Sequence, residues 1–234
     1  MKAQEIRKEL RNLGSKERAK VSQSFFKTGP GEYGEGDVFL GVGAPEMRRL
    51  AKEFQDLPVR EVRALLKSGI HEERAVALLI LVRQYQRGDR KEQERVYELY
   101  MDHLRCINNW DLVDVSAEHV VGAFLKNKSK KPLYRLARSR NLWERRVSIL
   151  ATFHYIKGKE FSETLKIAEM LLSDEEDLIH KAVGWMLREV GKRDLATEER
   201  FLKEHYREMP RTMLRYAIER FPEPKRQRYL KGGV

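Results

Sequence analysis

Cysteine is scarce in this chain of 234 residues. Cys106 stands alone, so neither a disulfide framework nor a cysteine zinc site can form. The expected role of Cys106 is that of a small buried hydrophobe. Long apolar runs are missing, and none approaches the roughly 20 residues of a membrane span. The opening residues Met1-Lys2-Ala3-Gln4-Glu5 lack the apolar stretch of a secretory signal. These absences point to a reducing, cytoplasmic setting, on the nucleoid in a prokaryote, with no membrane. Strand-type alternation of Val, Ile and Thr is also absent, which argues against a sheet. The six histidines have no metal-ligand spacing, and no HExxH, G-x-S-x-G or P-loop motif occurs. No metal or cofactor is therefore expected. His71, His119, His154 and His180 read as structural or surface residues.

What the chain does have is positive charge, a net +11. Such an excess calls for an anionic partner, most often nucleic acid. The charge is uneven. From Lys126 to Arg146 nine cations face the single acid Glu144, and a second basic stretch follows His205. Zinc-finger, homeodomain and single-strand stacking patterns are absent.

Helical periodicity runs nearly throughout. Start signals are frequent: Ser15, Pro45, Pro58, Asp89, Pro132, Asn141, Ser173, Asp194 and Pro210. The periodicity predicts one helix from the Asn108-Asn109 pair to Leu125 and another from Asn141 to Ile156. It also predicts a frayed basic tail over 222–234. The glycine-rich stretch within 28–44 contains G-x-G-x-x-G from Gly29 to Gly34. No strand precedes it, and Glu32, Glu35 and Asp37 would repel a phosphate, so a nucleotide site is rejected. A shaped and functional loop is the expectation. Four segments look alike, each a cation followed by small and apolar residues: Arg74–Leu78, Arg146–Leu150, Lys181–Trp185 and Arg215–Ile218. Their spacing fits a period of about 35 residues, the length of a HEAT-like helix pair. The expected fold is all-α, a single right-handed α-solenoid over 1–234 with a concave basic face that cradles a duplex.

The chemistry centres on Ile107-Asn108-Asn109-Trp110-Asp111-Leu112-Val113-Asp114. The two Asn residues offer N-cap oxygens, and Asp111 falls in the first turn, where the helix dipole favours an anion. Trp110 and Asp114 are four apart and share a helical face. Trp185 and Arg188 share another face, whereas Trp143, three before Arg146, reads as a core residue. One carboxylate is too few for ordinary glycoside hydrolysis, which takes two. It suffices where the leaving base already carries positive charge and needs no protonation. The carboxylate then stabilises the cationic sugar and holds water.

Trp110-x-x-x-Asp114, Trp143-x-x-Arg146 and Lys181-Ala-Val-Gly-Trp185-Met-Leu-Arg188-Glu189 together resemble the AlkD-type DNA alkylation repair glycosylases, over roughly Phe25 to Arg215. That family is an all-α HEAT-like solenoid that excises cationic alkylated purines from duplex DNA without flipping the base into a pocket. The resemblance implies Asp114 as the catalytic carboxylate, with Trp110 and Trp185 as walls on the lesion nucleotide. It implies Arg146 and Arg188 as phosphate clamps. Arg145, Lys181, Arg215 and Phe25 are further expected DNA contacts. The best-known branch carries a tyrosine whose nearest equivalent here is Phe25, with Phe26 as the alternative, so the hydroxyl is lost there. The expected partner is double-stranded DNA carrying alkylated bases, bound by a monomer without a cofactor. A non-catalytic HEAT-like DNA-binding protein for damaged or branched DNA is the alternative, and a protein-scaffold array is a third reading.

Overall fold

The computed structural model describes all 234 residues. It is all-α. The nearest thing to a sheet is one isolated bridge between Val38 and Ile70. The chain divides into two compact units, 1–120 and 121–234.

The first unit holds α1 (Ala3–Leu13), α2 (Lys16–Phe25), α3 (Ala44–Glu53), α4 (Val59–Leu66), α5 (His71–Arg87), α6 (Arg90–Asp102) and α7 (Trp110–Asp114). Start signals act as the sequence indicates. The Ser15 and Asp89 side chains accept from the backbone N–H of Arg18 and Glu92, and Pro45 lies in the first turn of α3. The core gathers on α5, whose residues from His71 to Leu78 are all buried. It packs against α3, α4 and α6, its neighbours in sequence. Fully buried side chains such as Leu50, Leu65, Leu66, Leu78, Ile80 and Leu81 fill this space. Each such aliphatic contributes about 1.5–3 kcal/mol of burial. By contrast α2 buries no residue, and Val21 and Phe25, four apart, stand 69% and 63% exposed on it.

The helix predicted from the Asn pair to Leu125 is interrupted. α7 stops at Asp114, a π-helical turn spans Glu118–Gly122, and α8 (Ala123–Leu125) follows. The cause lies at both breaks. Ser116 Oγ donates to the Leu112 carbonyl at 2.5 Å and meets the buried Tyr100 hydroxyl at 3.0 Å, a back-bond that bends helices. Gly122, already in the second unit, lies so close to Ala151 of the same unit that a Cβ would stand 2.1 Å from its carbonyl oxygen. Cys106 closes the short 3-10 turn Leu104–Cys106 and is a half-exposed free thiol, not the buried hydrophobe expected.

The second unit continues with α9 (Lys131–Ala137), α10 (Leu142–Ala151), α11 (Phe153–Lys157), α12 (Ser162–Met170), α13 (Asp177–Gly191), α14 (Leu195–His205), α15 (Arg211–Ala217) and α16 (Glu223–Leu230). α10, α13 and α15 pack side by side in one row, while α9 and α12 touch in another. Such rows are what stacked helix pairs produce. Gly184 allows the closest approach, since a Cβ there would meet the Met213 carbonyl at 2.4 Å.

Three expectations are corrected in this unit. The helix from Asn141 breaks at Thr152, whose hydroxyl bonds the Ile149 carbonyl at 2.7 Å. Ser173 is not the cap of α13. Asp174 takes that stretch instead, accepting from the Glu176 N–H and gripping Arg145, so the helix begins at Asp177. The tail is a helix, α16, because Tyr229 is 1% exposed and rests edge-on against Tyr206 and Phe221.

α14 carries an unusual acid. Glu198 is 2% exposed, and its Oε1 has no hydrogen-bond partner. Gly191 makes room for it, as a Cβ there would overlap the carboxyl. Burial, and then the Glu199 charge, push the carboxyl up to about 8, against the pull of Arg188 and Lys225. The folded protein therefore holds the proton at neutral pH, while the unfolded chain releases it near 4.5. Stability is expected to fall as pH rises from about 4.5 to 8. In Glu198→Gln that slope should flatten, as urea melts across this range would read.

Candidate functional site

In the first unit the motif helix starts as the sequence indicates. Asn109 is the N-cap, and its Oδ1 accepts from the Trp110 N–H at 2.8 Å. Asn108 does something else: its amide donates to Asp37 Oδ1 at 3.2 Å. Trp110 is half-buried, stacked on Phe26 at 5.3 Å with the exposed Phe25 edge-on at 5.9 Å. The stack continues from Phe26 to Phe39 and from Phe39 to His71. An aromatic slab thus backs the indole, leaving Phe25 at its open rim. Asp114, last residue of α7, is half-buried. Burial raises the Tyr100 hydroxyl, and the Asp114 charge adds to that rise, which puts the carboxylate close to a buried phenol.

The sequence reading missed the polar cluster beneath this helix. Asp37, 5% exposed, is its hub. Arg74 Nη2 donates to Asp37 Oδ1 at 2.6 Å, and His71 Nδ1 lies 3.0 Å from Asp37 Oδ2. The other ring nitrogen of His71 lies 2.8 Å from Asp111 Oδ2. Burial pushes the Asp37 carboxyl up, but the hydrogen bond from His71 and the charges of Arg74 and His71 outweigh it and hold it below the usual range. Burial likewise pushes His71 down, yet hydrogen bonds to Asp111 and Asp37 and the Asp111 charge raise it above its ordinary value. Asp37, read in the sequence as a repeller of phosphate, faces inward. The remaining loop acids serve the loop: Glu32 accepts from the Gly29 N–H and Glu35 from the Gly31 N–H. Glu72, 2% exposed, ties the end of the loop to α5 by accepting from the backbone N–H of Leu40, Gly41 and Val42. Acids spaced along a glycine-rich loop ahead of an α5 that opens with His-Glu-Glu-Arg were the available signal.

The other expected site residues lie in the second unit. Trp185 is half-buried on α13, and its indole N–H points to Glu189 Oε1 at 3.4 Å. Arg188, one turn on, pairs with Glu219, and its Nε is buried without a partner. Arg145 grips Asp174 with two nitrogens, at 2.6 and 3.2 Å. Arg146 is 5% exposed and donates to the Leu178 carbonyl at 2.6 Å. Lys181 lies 2.6 Å from Asp177, and Arg215 is exposed. Trp143, 8% exposed, is a core residue as expected. The repeated cation is therefore not a uniform solvent-facing row. Arg74 and Arg146 are buried, and Lys181 is half-buried in an ion pair.

The basic run also divides by role. Lys130 Nζ caps the carbonyls of Leu125, Lys126 and Lys128 at the end of α8. Lys131, Arg135 and Arg138 instead line an open groove of about 790 Å³ with Tyr134, Ser139 and Glu144. Cations held this way are available to a polyanion.

A profile of the DNA alkylation repair enzyme family matches residues 6–221, nearly the whole chain. The chain belongs to this family. Among solved structures it is similar to one described as a predicted DNA alkylation repair enzyme from Enterococcus faecalis. The two share 21% identity with a TM-score of 0.69, over 90% of this chain and 98% of that one. That likeness speaks for the fold. No curated protein sequence matches the chain. Family membership makes DNA the partner and repair of alkylation the enzymatic role. In this member of the family, Trp110 and Asp114 sit on α7, which is shorter than its sequence signals indicate, and Trp185 and Arg188 sit on α13, which starts later than they indicate.

Proposed function

We propose that this member of the family is a DNA glycosylase of the AlkD type. It would hydrolyse the N-glycosidic bond of cationic alkylated purines, of the 3-methyladenine and 7-methylguanine kind, in duplex DNA. The observation that carries this reading is α7: a half-buried indole at its first position and a half-buried carboxylate at its last, backed by an aromatic slab. Alkylation has already made the base a cation, so the C1′–N bond breaks with its electron pair going to the base, which leaves neutral. Positive charge then grows on the sugar. A fixed carboxylate in a partly dry site stabilises it far better than water does. Asp114 takes this role and orients the water whose oxygen bonds to C1′, and the water's proton passes to solvent or to the carboxylate. Trp110 contacts the sugar through its ring face, Phe25 adds an apolar contact at the rim, and Trp185 is a further DNA contact on the second unit. Arg188, Arg145, Arg146, Lys181 and Arg215 are the assigned DNA contacts. Those now paired with carboxylates exchange that partner for a phosphate as the duplex binds, which salt opposes.

The test is a 7-methylguanine duplex incubated with the protein and then treated with alkali. Strand breaks at the lesion support the reading. Salt-sensitive duplex binding with no alkali-labile site would leave a non-catalytic DNA-binding protein.

A further inference from the structure

His71 is 1% exposed, yet both of its ring nitrogens face carboxylates: Asp37 at 3.0 Å and Asp111 at 2.8 Å. A neutral imidazole owns one N–H, so it would set a lone pair against one of those oxygens. Only the imidazolium donates to both. The groups around it are few and defined. Arg74 opposes its charge from one turn further along α5, and Asp37 and Asp111 favour it. The rings of Phe39 and Phe26 lie at 4.4 and 5.1 Å.

What this cluster holds is the start of α7. Asn108 and Asn109 donate to Asp37, and Asp111 is bound by His71. α7 has five residues, far too few to persist by itself, so its place is set by tertiary ties. Asp111 adjoins Trp110 and lies three residues before Asp114 on that same short helix.

We propose that His71 is a positioning residue: as an imidazolium clamped between Asp37 and Asp111, it fixes the first turn of α7 and with it the indole of Trp110 and the carboxylate of Asp114. Its catalytic consequence rests on the glycosylase reading, whereas the placement of α7 does not. Loss of the proton leaves Asp111 facing a ring that can donate to only one of its two carboxylates. The first turn then loosens.

The test reads Trp110 directly. In ¹H–¹⁵N spectra the Trp110 indole signal is assigned by its loss in Trp110→Phe. In the wild-type protein that signal should titrate with a midpoint above the ordinary histidine value of about 6.5. Asp111→Asn keeps the side chain's shape and removes its charge, so the midpoint should move to lower pH. His71→Gln should abolish the titration. Base release from a 7-methylguanine duplex should fall on the alkaline side with the wild-type midpoint, and earlier in Asp111→Asn. A Trp110 signal that does not titrate, or a midpoint unmoved by Asp111→Asn, overturns the proposal. A titration that behaves as expected in a protein releasing no base supports the positioning role and sinks the glycosylase reading alone. Asp111→Asn keeps the comparison decisive even where His71→Gln fails to fold.

Discussion

Asp114→Asn is expected to lower base release from a 7-methylguanine duplex by about a hundred- to a thousand-fold, about 2.7–4 kcal/mol of transition-state stabilisation. Duplex affinity should hardly change. The substitution preserves shape but turns an anion into a neutral dipole. The sugar's positive charge exists only as the bond breaks, so the loss falls on the chemical step and spares ground-state binding. Asp114 is half-buried at the end of α7, where solvent competes only in part. Single-turnover rates of alkali-labile site formation, beside a binding titration at fixed salt, separate the two quantities. A variant as active as the wild type would remove Asp114 from the mechanism.

The second large effect concerns stability. Asp37→Ala deletes the hub that Arg74 and His71 share, and both are nearly fully buried. Stranding buried charges in this way costs about 3–5 kcal/mol. The cost should vary with pH in a direction fixed by the two shifts. His71 is raised, so its contribution is complete below about 6.5 and is lost as pH climbs through the raised folded value. Asp37 is lowered, so its contribution is present above about 3.9 and is lost as pH falls through the depressed folded value. The gap between wild type and variant should therefore be widest near pH 5–6. It should narrow at alkaline pH, where His71 is neutral in both and its charge no longer adds to the ties from Arg74, Asn108 and Asn109. Urea melts at pH 5, 7 and 9 measure it. Coincident curves would mean that the cluster ties nothing together.

Much of the fold was legible because its signals are local. Ser15, Asp89, Asn141 and Asp194 cap helices where a short polar side chain precedes an apolar period. The misread boundaries share a physical cause. Ser116 and Thr152 sit in stretches with uninterrupted helical periodicity, and their hydroxyls bond backbone carbonyls of the preceding turn. Nothing in the pattern of apolar residues records that. The tail was misread in the opposite sense, since its charge masks one buried tyrosine, Tyr229, that anchors α16.

The candidate site was legible as far as residue type and helical spacing reach. Trp110 and Asp114 on one helix, Trp143 in the core and Trp185 near Arg188 follow from the chain itself, whereas the shortness of α7 does not. The partners of the cations do not. Arg145 with Asp174 spans 29 residues, and Arg188 with Glu219 spans 31. Asp37 and Asn108, 71 residues apart, share a hydrogen bond.

The sequence by itself determined an all-helical protein, the start of most of its helices, and a basic chain carrying one indole–carboxylate motif. It did so because helix propensity, capping and charge act over a few neighbouring residues. Only the tertiary structure decided that His71 lies between two carboxylates, that Asp37 turns inward, and that most of the site's cations already hold carboxylates or carbonyls. Those outcomes depend on groups distant in sequence leaving water together, and no local pattern encodes which buried charge will find which partner.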